Sequence, residues 1–492
     1  MGNHWQGGGT PILLRGGEPA CKVTRKIRVS AAYPKHQPQH PMKHPESFQI
    51  SRRSFIARCS ATAAATGLPL WFVERELARA AEPAKKTLSP NDRPAIALIG
   101  CGGQGSGDAG NARRFADVVA VCDVDKKHVE RAVQRFTKDG KVPDGFADFR
   151  KLLERGDIHG IINGCPDHWH SLVNIAAAKA GKDIYSEKPL TLTIDEGKHV
   201  VKAVRDAKAV LQTGTQQRSS QRFRLACDLV RNNVIGKLKE CTVWLPAGRR
   251  EGPFASKPVP PELDWDFWQG QAPKVDYVPE RCHTWFRYWY EYSGGTMTDW
   301  GAHHMDIGYW AIGLPAPTLI ESKALTQPIP GGYTTISDYE VKFTYPNSVV
   351  FNVRSTPDDD PFGGVIKKDG QRNGIRFEGS DGWIWVNRDE IKASDMDMLR
   401  KPLPDTAERL YVSNDHMGNF FDCMRSRKDP ICAVEIGHRS ASVCHLGAIS
   451  LRTGKKLQWD PDKEIFTGEN AALANSYATR EMRKPYDYSF VS

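Results

Sequence analysis

The chain has 492 residues, 26% of them charged and 40% hydrophobic, with 68 Lys or Arg against 58 Asp or Glu for a net charge of +10. Residues 1–80 hold 12 of the basic and 4 of the acidic side chains, which leaves 56 against 54 and removes any charge argument for nucleic acid or anionic lipid as a partner. Nine of the 11 cysteines lie beyond residue 80 without a C-x-x-C pair, so buried thiols are expected rather than a disulfide framework.

Residues 1–41 lack apolar periodicity and are rich in Gly, Pro, His and basic side chains; they are expected to be disordered or untranslated, with Met42 as the start. Ser51-Arg52-Arg53-Ser54-Phe55-Ile56 has the form of a twin-arginine export signal, and Ala78-Arg79-Ala80 offers a small-x-small cleavage site. Residues 42–80 are therefore read as a signal peptide addressing the chain to the periplasm. The apolar stretch from Cys59 to Val73 falls short of the ~18 to 20 residues that span a bilayer and is closed by Glu74, Arg75 and Glu76, so no membrane insertion is expected.

From Arg93 to Gly214 strands and helices alternate, which requires right-handed crossovers and a parallel sheet covered on both faces. The expected strands are 95–99, 118–122, 160–164, 184–186 and 210–213. The expected helices are 126–136, 149–155, 168–180 and 194–208. The first strand runs into Gly100-Cys101-Gly102-Gly103-Gln104-Gly105, a G-x-G-x-x-G loop. In such a loop Gly100 permits the turn, Gly102 lets backbone approach a pyrophosphate, and Gly105 lets the next helix pack close. Gly103 and Gln104 lie on the same loop. The second strand ends at Asp123, about the ~20 residues downstream at which an acid holds the adenosine ribose diol. NAD is expected, while nearby Arg113, Arg114, Lys126 and Lys127 leave NADP possible.

Glu187-Lys188-Pro189 follows the strand 184–186 and so falls at the carboxyl edge of the sheet, where ligands of doubly wound folds bind. A lysine there can donate to a substrate hydroxyl. Beyond Gln216 the composition changes to a helix near 223–232, a strand near 238–245 and a loop-rich stretch with Trp265, Trp268, Trp285 and Trp289, of which one or two could stack on sugar faces. Within Ser293-Gly294-Gly295-Thr296-Met297-Thr298-Asp299-Trp300-Gly301-Ala302-His303, helical spacing puts Asp299, His303, Asp306 and Trp310 on one stripe. Histidine suits proton transfer near neutrality, and a carboxylate one turn away can orient it. Runs at 341–345, 349–353, 375–379 and 383–386 are β-branched and aromatic, which predicts an open, largely antiparallel sheet. The fold class is thus α/β: a Rossmann doubly wound domain over 93–214, an α+β domain with a large open sheet over 215–460, and a tail over 461–492.

In chain order and motif content the sequence resembles the Gfo/Idh/MocA oxidoreductases over about Arg93 to Trp459. Pro166-Asp167-His168-Trp169-His170, Gln216-Gln217-Arg218-Ser219 and Gly437-His438-Arg439-Ser440 take part in the likeness, and the chain further resembles the exported twin-arginine subgroup. The resemblance implies that Lys188 contacts the reacting hydroxyl, His303 is the acid/base, and Asp299 orients the substrate or His303. Pro166, His168, His170, Glu187 and Lys188 would line the cofactor, and Trp169, Gln217, Arg218, Arg287 and His304 the substrate. Cys165 and Ser293 stand where family members often carry Thr and Gly. The implied reaction is reversible oxidation of a secondary alcohol on a sugar or cyclitol, by a homo-oligomer (dimer or tetramer) assembled through the C-terminal sheet. NAD-dependent glycoside hydrolysis or elimination through transient oxidation is the nearest alternative, and a non-catalytic sugar-binding protein on the same fold is another. The 167–170 and 303–304 segments are dense in ligand types, but nothing has the H-E-x-x-H form and His303 and His304 diverge on a helix, so no metal is expected.

Overall fold

The computed structural model describes residues 52–80, 93–314, 316–355 and 373–491. The expectations for residues 1–41 and a start at Met42 lie outside these.

In the first domain β1 (Ala95–Ile99), α3 (Gly103–Ala112), β2 (Asp117–Cys122), α4 (Lys126–Phe136), β3 (Asp144–Phe146), α5 (Phe149–Leu153), β4 (Gly160–Asn163), α6 (Asp167–Lys179), β5 (Asp183–Ser186), α7 (Ile194–Asp206) and β6 (Leu211–Thr213) alternate; α1 (Arg52–Thr66) and α2 (Leu70–Ala80) precede them. The strands lie in the order β3-β2-β1-β4-β5-β6 and pair in parallel, the doubly wound Rossmann arrangement. β1, β4 and β5 are nearly uninterrupted apolar runs because helices cover both faces. Register brings the strand ends level: Ile99 pairs with Cys122 and Asn163, and Asn163 with Ser186. The residues that follow, Gly100, Asp123, Gly164 and Glu187, therefore form one edge.

The second domain contains α8 (Gln221–Arg231), β7 (Leu238–Leu245), α9 (Trp265–Gln269), α10 (Gly301–Ile312), β8 (Leu319–Ala324), β9 (Tyr339–Thr344), β10 (Val350–Ser355), β11 (Gly374–Gly379), β12 (Trp383–Val386), β13 (Ile391–Ala393), α11 (Asp397–Arg400), α12 (His416–Ser426), α13 (Val434–Thr453), β14 (Leu457–Asp460), β15 (Ile465–Thr467) and α14 (Ala471–Ala478). Among the described residues its strands run β13-β12-β11-β7-β10-β9-β8-β14-β15, antiparallel apart from the parallel β7–β10 pair. Side chains of α8, α10 and α13 form one apolar core with the inward residues of β7, β9, β10 and β11.

Segments of the second half pack against the first. Met417, Phe420 and Phe421 of α12 join the core of Ile96 and Leu98, covering one face of the Rossmann sheet. Gly437 at the start of α13 meets β6 so closely that a Cβ would stand 2.0 Å from Thr213 Oγ1. Tyr486, Tyr488 and Phe490 of the terminal stretch pack around Trp169 and Phe149, so residues 461–491 are built into the molecule rather than trailing from it.

The α1–α2 pair also docks: Cys59, Leu68, Phe72 and Val73 are buried in the second domain's core, and Glu76 forms a buried ion pair with Arg224 at 2.6 Å. A second buried pair joins the turn after β6 to α10. Arg218 Nε and Nη2 donate to the two carboxylate oxygens of Asp306 at 2.7 Å each, with the side chains 3% and 0% exposed. Asp306→Ala leaves the guanidinium buried without its counter-charge and is expected to lower unfolding free energy by about 3 to 5 kcal/mol, whereas Arg218→Met with Asp306→Leu recovers most of that loss. Urea unfolding of both variants checks this; equal destabilisation by the single and double changes would refute it.

Candidate active site and cofactor groove

The glycines of the fingerprint loop are of two kinds. Gly100 has φ +87°, and a Cβ there would stand 2.5 Å from Cys165 N; one on Gly105 would stand 2.2 Å from Gly100 O. Gly102 and Gly103 instead face open space, with nothing within 4 Å of an added Cβ. Gly102 is the N-cap of α3 and no side chain caps the helix. The first-turn amides of α3 are thus available to a pyrophosphate, as a dinucleotide requires. The neighbouring helix α4 is closed by its own cap: Asp125 Oδ1 accepts from Lys127 N at 2.8 Å and His128 N at 3.3 Å.

A cavity of about 440 Å³ runs along this strand edge, within the range of small-ligand and cofactor sites. Gly100, Gly102, Gly103, Gln104, Asp123, Pro166, Glu187 and Lys188 line it. Asp123 is held by three donors: Cys101 N at 2.8 Å, Asp125 N at 3.0 Å and His128 Nδ1 at 3.2 Å. Four lone-pair directions on a carboxylate leave it one acceptor for a ribose hydroxyl. Glu187 braces the loop at the other end, accepting from Gln216 Nε2 at 2.9 Å and Lys188 N at 3.2 Å. Burial and then the adjacent Glu187 push Asp108 up to about 9.

At the Lys188 end the cavity wall is Asp167, Arg287 and Tyr288. Lys188 Nζ donates to Asp299 Oδ1 at 2.5 Å and to Asp299 O at 3.2 Å, and Arg287 Nε lies 3.3 Å from the same carboxylate oxygen. Burial alone would raise the Asp299 carboxyl, but Lys188 and Arg287 hold it well below the ordinary carboxylate range. His303 is pushed well below its usual value by burial, Lys188 and Arg388, with Asp299 opposing less strongly. The imidazole is therefore neutral. Its Nδ1 is buried without a protein partner.

Several expectations are corrected here. Asp299 is not on a helical stripe with His303, because α10 starts at Gly301 and Asp299 sits upstream, after a 3₁₀ turn at Gly295–Met297. From there it reaches Lys188 instead of orienting His303. Arg218, placed near substrate by the resemblance, and Asp306, placed on a stripe with His303, neutralise each other in the core. His304 is fully buried with Nε2 against Asn373 Oδ1 at 2.9 Å. Gln217 supports rather than contacts: its Nε2 donates to His303 O at 3.1 Å and its Oε1 accepts from Arg388 at 3.1 Å. His168 Nε2 bonds Trp268 O at 2.9 Å, while His170 bridges Pro189 O at 2.7 Å and Cys165 O at 2.8 Å. Neither ring lines the cavity; His170 ties the β4 and β5 loops together. Trp169 does line it, beside Phe149, Val173 and Phe267. Phe149 follows β3, on the far side of β1 from Lys188, so Trp169 walls the distant end rather than the reacting end. Among the tryptophans, Trp268 also lines the cavity, whereas Trp265, Trp268 and Trp289 all belong to a buried aromatic cluster.

Sequence reasoning missed Asp167 as an ionisable group of the site. Ser293 Oγ donates to Asp167 Oδ2 at 2.6 Å, which gives the departure from Gly at 293 a physical role. Burial first raises Asp167 to about 7, against the lowering by Ser293, Arg287 and Lys188. A second omission is His128 and His283, whose rings lie 4.5 Å apart at the Asp123 end. The segment 277–292 that brings in His283, Arg287 and Tyr288 has no periodic signal, and nothing in its spacing points to strand ends more than a hundred residues away.

A family profile described as an oxidoreductase NAD-binding Rossmann fold matches residues 95–215, and one described as an oxidoreductase C-terminal alpha/beta domain matches residues 243–488. Myo-inositol 2-dehydrogenase of Thermotoga maritima is 26% identical over 172 residues, 35% of this chain and 47% of that protein. Levoglucosan dehydrogenase of Pseudarthrobacter phenanthrenivorans is 35% identical over 92 residues, 19% and 24% of the two chains. A glycosyl hydrolase family 109 protein of Shewanella pealeana is 24% identical over 212 residues, 39% and 44%. These matches span a quarter to a half of the curated relatives. Among solved structures, the WlbA dehydrogenase of Bordetella pertussis, in complex with NADH and UDP-GlcNAcA, has TM-score 0.55 at 18% identity, covering 75% of this chain and 99% of that one. This likeness carries the fold. With both domains matched in order, and the glycine loop and strand-end acid arranged for a dinucleotide, the chain belongs to the Gfo/Idh/MocA oxidoreductase family, with an NAD-binding Rossmann domain and a C-terminal α/β domain.

Proposed function

We propose that this protein oxidises a secondary alcohol of a sugar, cyclitol or sugar derivative with NAD. The observation that carries the reading is Lys188 at one end of the cavity, fixed there by Asp299, with a neutral His303 near enough to feel both charges. NAD would supply the hydride acceptor there. His303 takes the hydroxyl proton, for which a neutral imidazole is the required form. Lys188 places a positive charge where the alkoxide develops, and Asp299 and Arg287 keep that charge in position without reorganisation. Inositol and levoglucosan dehydrogenases among the relatives support this substrate class.

A second reading, glycoside hydrolysis or elimination through transient oxidation, draws on the family 109 glycosyl hydrolase relatives and on Asp167. A carboxyl raised to about 7 at the cavity wall suits protonation of a leaving group. We further propose export through the twin-arginine pathway, supported by Arg52-Arg53 and the following apolar run, and homo-oligomerisation through the C-terminal sheet. Among the described residues no helix is long and apolar enough to cross a membrane.

Lys188→Ala and His303→Ala are each expected to lower turnover by about 10² to 10⁴-fold while NAD still binds; steady-state rates on a carbohydrate panel, with cofactor titration alongside, check this. Near-wild-type turnover in both variants would remove the assignment.

The raised Asp167 also makes stability depend on pH. Its folded value of about 7 exceeds the ordinary unfolded value near ~3.9, so between these pH values unfolding releases a proton and stability falls as pH rises. Asp167→Asn keeps an acceptor for Ser293 and removes this slope. The variant's Tm should exceed that of wild type at about pH 8 and match it near about pH 4; a difference that does not change with pH would contradict the assignment.

Replacing Arg52 and Arg53 with Lys should strand folded protein in the cytoplasm, as followed by cell fractionation. Unchanged export would overturn the localisation.

A further inference from the structure

The adenosine end of the groove holds a group of donors that neither the glycine loop nor the proposed chemistry uses. Asp125, His128 and His283 each present one ligand atom, and these atoms all lie within 4.8 Å of one another. His283 Nε2 is 3.3 Å from Asp125 Oδ2, and His128 Nε2 is 4.0 Å from the same oxygen. Ligand atoms on a tetrahedral zinc are about 3.3 Å apart, from metal–ligand distances near ~2.0 to 2.1 Å. One edge is therefore already at coordination distance, and a small rotation of His128 closes the other.

The bonds these residues make elsewhere leave the converging atoms free. Asp125 uses Oδ1 to cap α4 and keeps Oδ2 for the cluster. His128 bonds through Nδ1 to Asp123 Oδ2 at 3.2 Å, which sets the tautomer with its proton on Nδ1 and its lone pair on Nε2. A carboxylate behind the non-ligating imidazole nitrogen is the usual outer support of a histidine–metal bond. His283 is held at φ +48°, a left-handed conformation that a β-carbon-bearing residue adopts at a cost, and that backbone aims its ring at Asp125.

We propose that Asp125, His128 and His283 bind one divalent transition-metal ion of the zinc class, with a fourth position open toward the cavity that both histidines line. Two imidazoles and one carboxylate with an open position form a donor set that zinc accepts and that magnesium or calcium, which take oxygen ligands, does not favour. The alternative occupant, a 2′-phosphate on the adenosine ribose, would meet the Asp123 and Asp125 carboxylates. The metal would join α4 of the Rossmann domain to segment 277–292, which also supplies Arg287 and Tyr288. It thereby clips the wall over the adenosine half of the groove. This inference rests on the NAD-binding domain and not on the proposed alcohol chemistry.

The test is titration of Co²⁺ into the full-length protein after chelator treatment and dialysis, with its co-purified or added NAD present, followed by the visible absorption of low-symmetry cobalt and displacement by Zn²⁺. One equivalent should bind with an intense band. His128→Ala and His283→Ala should each weaken binding by about 10²-fold or more, at least the loss that outer-shell changes alone produce. Asp125→Asn keeps the helix cap and should weaken binding by about 10-fold, so a folding defect in an alanine variant does not decide the matter. No stoichiometric band in the wild type, or a band of unchanged affinity in all three variants, overturns the proposal; NADP competing with Co²⁺ more strongly than NAD assigns the histidines to a phosphate and overturns it as well.

Discussion

The ion pair between Lys188 and Asp299, 2.5 Å long and joining the β5 loop of one domain to the entry of α10 in the other, is the contact on which the rest of the site depends. It fixes a cation at the carboxyl edge of the Rossmann sheet. Burial, then the Lys188 and Arg388 charges, keeps the nearby His303 imidazole neutral against the weaker opposing effect of Asp299. Arg287 completes the arrangement from a third segment, so the charge of Lys188 is balanced without being cancelled where a developing alkoxide would meet it.

Rigid elements on each side make that contact possible. The register of β1, β2, β4 and β5 brings Gly100, Asp123, Gly164 and Glu187 to one edge, and close packing at Gly100 and Gly105 leaves the α3 amides toward the cavity. On the other side α10 is anchored by Asp306 to Arg218. His303 therefore projects from a helix whose far turn is pinned in the core. Gln217, next to that arginine, holds the backbone of His303 directly. The Gln216 to Ser219 segment therefore supports the backbone of His303 through Gln217.

The Rossmann half was legible because its physics is local. Lys126–Phe136 has a strong amphipathic period and an Asp125 cap, and it has the expected ends; in the second domain β7 has them too, at Leu238–Leu245. The glycine loop and the acid at 123 follow from spacing alone. Helical spacing failed at Asp299, where Gly294 and Gly295 permit a 3₁₀ turn that takes the carboxylate off the helix. Arg218 reads as a site residue because a charged side chain in a motif looks functional until its buried partner, Asp306, is known. The contributions of Arg287, His283 and the terminal aromatics Tyr486 and Phe490 come from packing across the whole chain, for which no periodicity exists.

The most direct test of the account is the absorbance of the nicotinamide in a single turnover, with protein-bound NAD mixed against sugars and cyclitols deuterated at one secondary carbon at a time. The account predicts reduced nicotinamide with a primary deuterium isotope effect at one carbon, lost in His303→Ala. Formation of product or tight sugar binding with no reduced nicotinamide at any position, and no isotope effect, would contradict hydride transfer as the chemistry of this site.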